Sequence, residues 1–206
     1  MRGNKSNKHN KQDKHNMILP IYAYGQPVLK KVAEDISQDY PGLQELIANM
    51  WETMEHADGV GLAAPQIGLA IRLFVIDTHP DEESKAKERK EAPIRKVFIN
   101  ARMLEETGEV WPFSEGCLSI PDIRADVERP AVIRLRYLDE NFAEHEEVFT
   151  GLNARVIQHE YDHIEGILFT DRLKPIKKQL IRRRLEKIRS GEVHASYRLK
   201  FAPPKR

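Results

Sequence analysis

Cysteine is almost absent from this 206-residue sequence: Cys117 is the only one. No intramolecular disulfide can form, so a reducing compartment, the cytoplasm, is the default and any chemistry at Cys117 is that of a thiolate. No run approaches the roughly 18 consecutive apolar residues a membrane helix needs, so no membrane partner is expected. The first residues are polar and basic with no apolar stretch behind them, which excludes a secretory signal. Excess charge is missing too. The 33 basic and 32 acidic residues leave a formal net charge of +1, neither a bulk polycation nor an acidic solvating protein. What remains, 40% hydrophobic residues with 12 Pro and 11 Gly, is the composition of one ordinary globular domain with a real core.

The near-neutral total conceals a polarised distribution. From Arg172 to Arg206 there are 13 Lys/Arg against two acids, Glu186 and Glu192. The first sixteen residues carry five basic groups and one acid, Asp13. The stretch between holds 15 basic and 29 acidic groups, so the body is acidic and both ends are basic. Residues 1–16 are nearly all Asn, Lys, His, Gln and Asp and cannot bury apolar surface. They read as a disordered, vector-derived tail with Met17 as the natural start, a genuine basic arm being the alternative. A folded unit at 17–173 and a basic C-terminal helix and tail at 174–206 follow.

Leu43, Leu46, Ile47, Met50 and Met54 recur at helical spacing and predict an amphipathic helix over 41–56, ending before Asp58-Gly59. The short apolar run 71–77 reads as a buried strand, and 79–93, dense in charge and bounded by proline, as a solvated excursion. Strand-like runs follow at 96–100, 131–138 and 146–150. Residues 153–165 read as a helix in which Leu152, Val156, His159 and His163 form one line, with Gly166 placed to end it. A second helix is expected over 175–190, with proline at its start and Leu180, Leu185 and Ile188 on one side. The expected fold is a compact α+β domain: small mixed or antiparallel sheets around a central helix, with a basic terminal helix outside.

His159-Glu160-Tyr161-Asp162-His163 is H-E-x-x-H. On a helix the two imidazoles stand one turn apart on one face and can share a metal ion, while Glu160 is displaced sideways to reach a water on it. The plainer alternative is two core histidines, each bonded to a carboxylate or carbonyl. Both histidines, however, continue the apolar line of Leu152 and Val156, where imidazoles are costly unless a metal satisfies them. A third ligand is needed. Glu165 and Glu186 lack a recognisable context and His194 lies in the basic tail, whereas Cys117 sits upstream in Glu115-Gly116-Cys117-Leu118-Ser119. A small buried hydrophobe is the alternative for that cysteine. Gly59-Val60-Gly61-Leu62-Ala63-Ala64-Pro65-Gln66 removes bulk from one surface and ends in a neutral amide donor. It lacks the spacing of a phosphate loop, and a close-packed turn is its alternative.

Together G-x-G-x-A-A-P-Q at 59–66, E-G-C-L-S at 115–119 and Q-H-E-x-D-H at 158–163 resemble peptide deformylase, complete and in order, over roughly 17–173. The intact motifs resemble those of the active bacterial or organellar type. The resemblance implies a catalytic domain at 17–173 with three small sheets around the histidine-bearing helix. It implies that Cys117, His159 and His163 hold the metal and that Glu160 is general base and acid. Gln66 and the backbone N–H of Leu118 would stabilise the oxyanion. Val60, Gly61, Glu115 and Gly116 would line the extended substrate and Arg124 the outer groove, with Leu152 and Val156 in the methionine pocket. Arg155 stands where an aliphatic residue is expected; its stem can pack while its guanidinium reaches water.

The implied reaction removes the N-formyl group from the N-terminal methionine of nascent polypeptides and releases formate, with metal-bound water attacking the formyl carbon. One divalent ion is implied, Fe²⁺ in the cell, with Zn²⁺, Ni²⁺ or Co²⁺ possible in preparations. The family resemblance and the charge of the terminal helix together point to the ribosome near the nascent-chain exit as a partner, with 174–206 adding local concentration rather than chemistry. A zinc endopeptidase shares the helix motif and a structural metal site shares the ligands, but the latter needs a closed fourth position for which no second cysteine is offered. A chiefly RNA-binding protein would account only for the basic end.

Overall fold

The computed structural model describes residues 16–79 and 91–203. Most of the tail expected at 1–16 and of the excursion expected at 79–93 lies outside the described residues. The strands are β1 (Ile21–Tyr22), β2 (Gly61–Ala63), β3 (Leu73–Asp77), β4 (Arg95–Cys117), β5 (Ile120–Leu138), β6 (Glu144–Thr150) and β7 (Leu199–Lys200). The helices are α1 (Leu43–His56), α2 (Gly151–Ile164) and α3 (Pro175–Arg189). Among the described residues no helix is long and apolar enough to cross a membrane.

Strands β2 to β6 form one antiparallel sheet in chain order. Strand β3 is apolar at successive positions because both of its faces are covered. Leu73 and Val75 join Val97, Ile99 and the α1 residues Ile47, Met50 and Met54. Phe74 and Ile76 point the other way, joining Phe98 and the α2 residues Ala154, Val156 and Ile157. The sheet is thus sandwiched between α1 and α2, and α2 is buried almost all round.

The resemblance implies three small sheets; the hydrogen bonding instead joins the strands into this five-stranded sheet and a two-stranded parallel sheet of β1 and β7. The two long strands explain the difference. β4 and β5 run together for most of their length and absorb their curvature in four register shifts, so the ladder bends without separating. The short runs at 96–100 and 131–138 are therefore the buried ends of a much longer hairpin. The middle of β4, 105–110, is exposed throughout, so no hydrophobic alternation marks it as strand.

Helix α3 buries Leu185 and Ile188 against Leu29, Ile120, Ile123 and Phe169. Leu180 does not share that side: it is 76% exposed. Five residues of helix rotate about 140°, which carries Leu180 away from the face of Leu185.

Candidate active site and metal centre

Cys117 ends β4, and α2 carries His159 and His163 a turn apart with their rings 5.2 Å between centroids. The hairpin and the helix bring one ligand atom of each residue within 4.8 Å of the others. Cys117 Sγ lies 3.4 Å from His163 Nε2. His159 Nδ1 is 2.9 Å from Glu115 Oε2, which fixes that nitrogen as a hydrogen-bond partner and leaves Nε2 free to ligate. His163 is almost wholly buried and its Nδ1 has no hydrogen-bond partner among the described residues. One thiolate and two imidazoles, converging in this way, fit a divalent transition-metal ion.

Glu160 is buried beside them, and its Oε2 lacks a hydrogen-bond partner among the described residues. Burial pushes its carboxyl up to about 7. The small-residue loop explains how the side chain fits. A Cβ placed on Gly61 would stand 2.5 Å from Glu160 Oε1, so only glycine leaves room for the carboxylate there. Gln66 Oε1 accepts from the Ala63 N–H at 2.9 Å, which turns its amide nitrogen toward Cys117 Sγ (3.5 Å) and Ser119 Oγ (3.2 Å). The amide is thereby held as a donor aimed at the Cys117 sulfur.

Every residue singled out from the sequence except His163 lines one cavity of about 770 Å³. Leu152 and Val156 form part of its apolar wall with Ile120, Ile123 and Phe113. Arg124 stands at the edge, its Nη2 donating to the Ser114 carbonyl at 2.6 Å. Glu115 lines the cavity yet turns its carboxylate inward. It accepts from Arg129 Nε at 2.7 Å and Nη2 at 3.0 Å, and from Arg155 Nη1 at 3.1 Å. Although burial opposes ionisation, the hydrogen bonds from His159 and Arg129 hold the Glu115 carboxyl well below the usual carboxylate range. Arg129 also donates to Asp162 at 2.8 Å, and Asp162 accepts two bonds of 2.5 Å from Arg172. This chain of ions anchors the histidine helix to the hairpin.

Sequence reasoning missed Arg129 and Asp162 in these roles; a lone arginine in a strand gives no signal, and Asp162, though part of Q-H-E-x-D-H, has no partner that the sequence reveals. Arg155 departs from expectation as well. It is 2% exposed, and its guanidinium, rather than reaching water, donates to the Val127 and Trp111 carbonyls at 2.8 and 2.6 Å. It stacks 4.5 Å from the Trp111 ring. Three bonds from Nη1 and Nη2 and an aromatic face replace much of the solvation an arginine needs, while Nε has no hydrogen-bond partner among the described residues. The terminal segment is a further surprise: Ala195, Ser196 and Tyr197 line the same cavity.

The family model described as polypeptide deformylase matches residues 18–179. The chain belongs to the peptide deformylase family. It is 58% identical to a peptide deformylase of Christiangramia forsetii over 194 residues, covering 92% of this chain and 99% of that protein. It is 56% identical to one of Flavobacterium psychrophilum, covering 92% and 100%. A crystal structure of a deformylase from Legionella pneumophila superposes with a TM-score of 0.72 at 36% identity, covering 85% of this chain and 98% of that one. The Arabidopsis thaliana deformylase 1B in complex with an inhibitor superposes at 0.73 and 33% identity, covering 84% and 92%. Deformylases are metal-dependent hydrolases that remove the N-formyl group from nascent polypeptides.

Proposed function

We propose that Cys117, His159 and His163 hold one divalent metal ion, ferrous iron in the cell, and that Glu160 handles the proton as the formyl amide is hydrolysed. The observation that carries this reading is the convergence of a thiol and two imidazoles beside a buried carboxylate, with Cys117, His159 and Glu160 opening onto one cavity and His163 buried behind them. When bound, the cation supplies a Lewis acid that brings the pKa of water toward neutrality. Glu160 takes a proton from the attacking water and delivers it to the departing amine nitrogen as the carbon–nitrogen bond breaks. The products are formate and a peptide with a free amino terminus.

Charge developing on the formyl oxygen is met by the Gln66 amide and the Leu118 N–H. The Ala63 N–H already occupies Gln66 Oε1, so the donor end cannot flip away at the moment of reaction. Leu152 and Val156 take the methionine side chain. Val60, Gly61, Glu115 and Gly116 flank the peptide, with Arg124 toward its outer end. The basic helix α3, exposed along most of its length, is proposed to dock on the ribosome, placing the enzyme in the cytoplasm where formylated chains emerge.

Glu160→Ala tests the assignment. The variant is expected to retain bound metal and to lose formate release from a formyl-methionyl peptide. Near-normal turnover in that variant overturns the role given to Glu160.

A further inference from the structure

β4 and β5 are joined by the two-residue turn Leu118-Ser119, across which Cys117 pairs with Ile120. This turn carries the N–H assigned to the oxyanion and directly follows the thiol-bearing Cys117. Both of its carbonyls accept from outside the hairpin. Tyr197 Oη donates to the Leu118 carbonyl at 2.8 Å, and the Tyr24 N–H donates to the Ser119 carbonyl at 2.8 Å.

These donors arrive from segments at opposite ends of the described chain, and those segments are tied to each other. β1 and β7 pair in parallel, with Ile21 opposite Leu199. The Ala23 N–H reaches the Lys200 carbonyl at 3.0 Å, and Gln26 Nε2 reaches the Phe201 carbonyl at 2.7 Å. The Tyr197 ring packs, with Leu118 and Leu199, against the core under α1. The small parallel sheet therefore forms a brace whose two arms hold the turn from either side.

We propose that Tyr197 is a positioning residue for deformylation, its hydroxyl fixing the Leu118-Ser119 turn so that the Leu118 N–H meets the developing oxyanion. The inference rests on the oxyanion role assigned to Leu118. A two-residue turn is held mainly by its strands, and a shift of a fraction of an ångström at a donor weakens it where charge builds up. The hydroxyl acts only through the Leu118 backbone, gripping the carbonyl on one side of its Cα while the N–H lies on the other, and touches no reacting atom.

Tyr197→Phe keeps the ring and its packing and removes the one hydrogen bond. Turnover of formyl-Met-Ala-Ser is expected to fall about tenfold in kcat with KM changed less than about twofold, the pattern of an interaction realised in the transition state. Calorimetric affinity for the deformylated tripeptide Met-Ala-Ser, metal content and melting temperature are expected to match the parent enzyme. A kcat within about twofold of the parent overturns the proposal. So does a rise in KM at constant kcat, which would make Tyr197 a substrate contact. A fall in kcat accompanied by equal losses of product affinity and melting temperature would reduce it to a structural residue and likewise overturn the proposal. Failure of the underlying reading is seen separately: Glu160→Ala with normal turnover removes the catalytic assignment whatever Tyr197→Phe does.

Discussion

Glu115 Oε2 lies 2.9 Å from His159 Nδ1, so the carboxylate beside the cysteine orients the histidine on the helix. The same carboxylate is gripped by Arg129 and Arg155, and Arg129 reaches on to Asp162. A single buried acid thus sets the ring orientation of His159 and ties the hairpin to α2.

Glu115→Gln keeps the shape but weakens the bond to His159 and leaves Arg129 short of its counter-charge. Metal affinity should fall about 10- to 100-fold, as for other partners of ligating histidines. Competition with a chelator of known affinity measures it. Unchanged affinity would mean His159 needs no such support.

Gly61→Ala puts a methyl group 2.5 Å from where Glu160 Oε1 now stands. The carboxylate must move, and kcat should drop at least about tenfold while KM changes little, since the loss falls on proton transfer. Steady-state kinetics with a circular-dichroism melt as control decides this. Full activity would show that Glu160 acts from another position.

Arg155→Met removes a guanidinium bonded to two backbone carbonyls and to Glu115. The carbonyls lose their donors and the acid loses part of its neutralisation, so stability should fall by about 2–4 kcal/mol. Urea denaturation reads the loss directly. A neutral outcome would mean the hairpin repacks around the thioether.

Cys117→Ser exchanges the thiolate for a hydroxyl that stays protonated near pH 7. With Cys117 the only cysteine in the chain, elemental analysis should find well below one metal per chain after dialysis. Retention of stoichiometric metal would place the cation elsewhere.

Replacing Lys178, Arg182 and Arg183 on the exposed side of α3 by glutamine tests ribosome docking without disturbing the buried Leu185 and Ile188. Co-sedimentation at several salt concentrations should show weaker binding and a log–log slope shallower by about one for each phosphate no longer engaged. Turnover of small peptides should not change. Deleting 174–206 is a poorer experiment, since it also removes part of the core and Tyr197 from the cavity wall.

The parts of the site that lie within short motifs are readable in the sequence. The line of Leu152, Val156, His159 and His163 declares a helix face, and α2 runs from Gly151 to Ile164 where 153–165 is expected. Helix α1 and the double-covered strand β3 are equally legible, one by its 3.6-residue period and the other by its unbroken apolar run. What stays hidden depends on partners far apart in the chain. The β4 and β5 hairpin escapes notice because 105–110 is exposed on both sides and Gly108, Pro112 and Pro130 look like turns. The inward turn of Glu115 becomes visible only once Arg129 and Arg155 stand beside it. Tyr197 is one aromatic in a basic tail, and only the pairing of β1 with β7 reveals where it goes.

That pairing sets an order on biosynthesis. Ile21 waits for Leu199, so the early strand cannot find its mate until the polypeptide has been made past Lys200 and that stretch has cleared the exit tunnel. A protein whose task is to trim chains still being translated can close the brace on its own Leu118-Ser119 turn only late in its own translation.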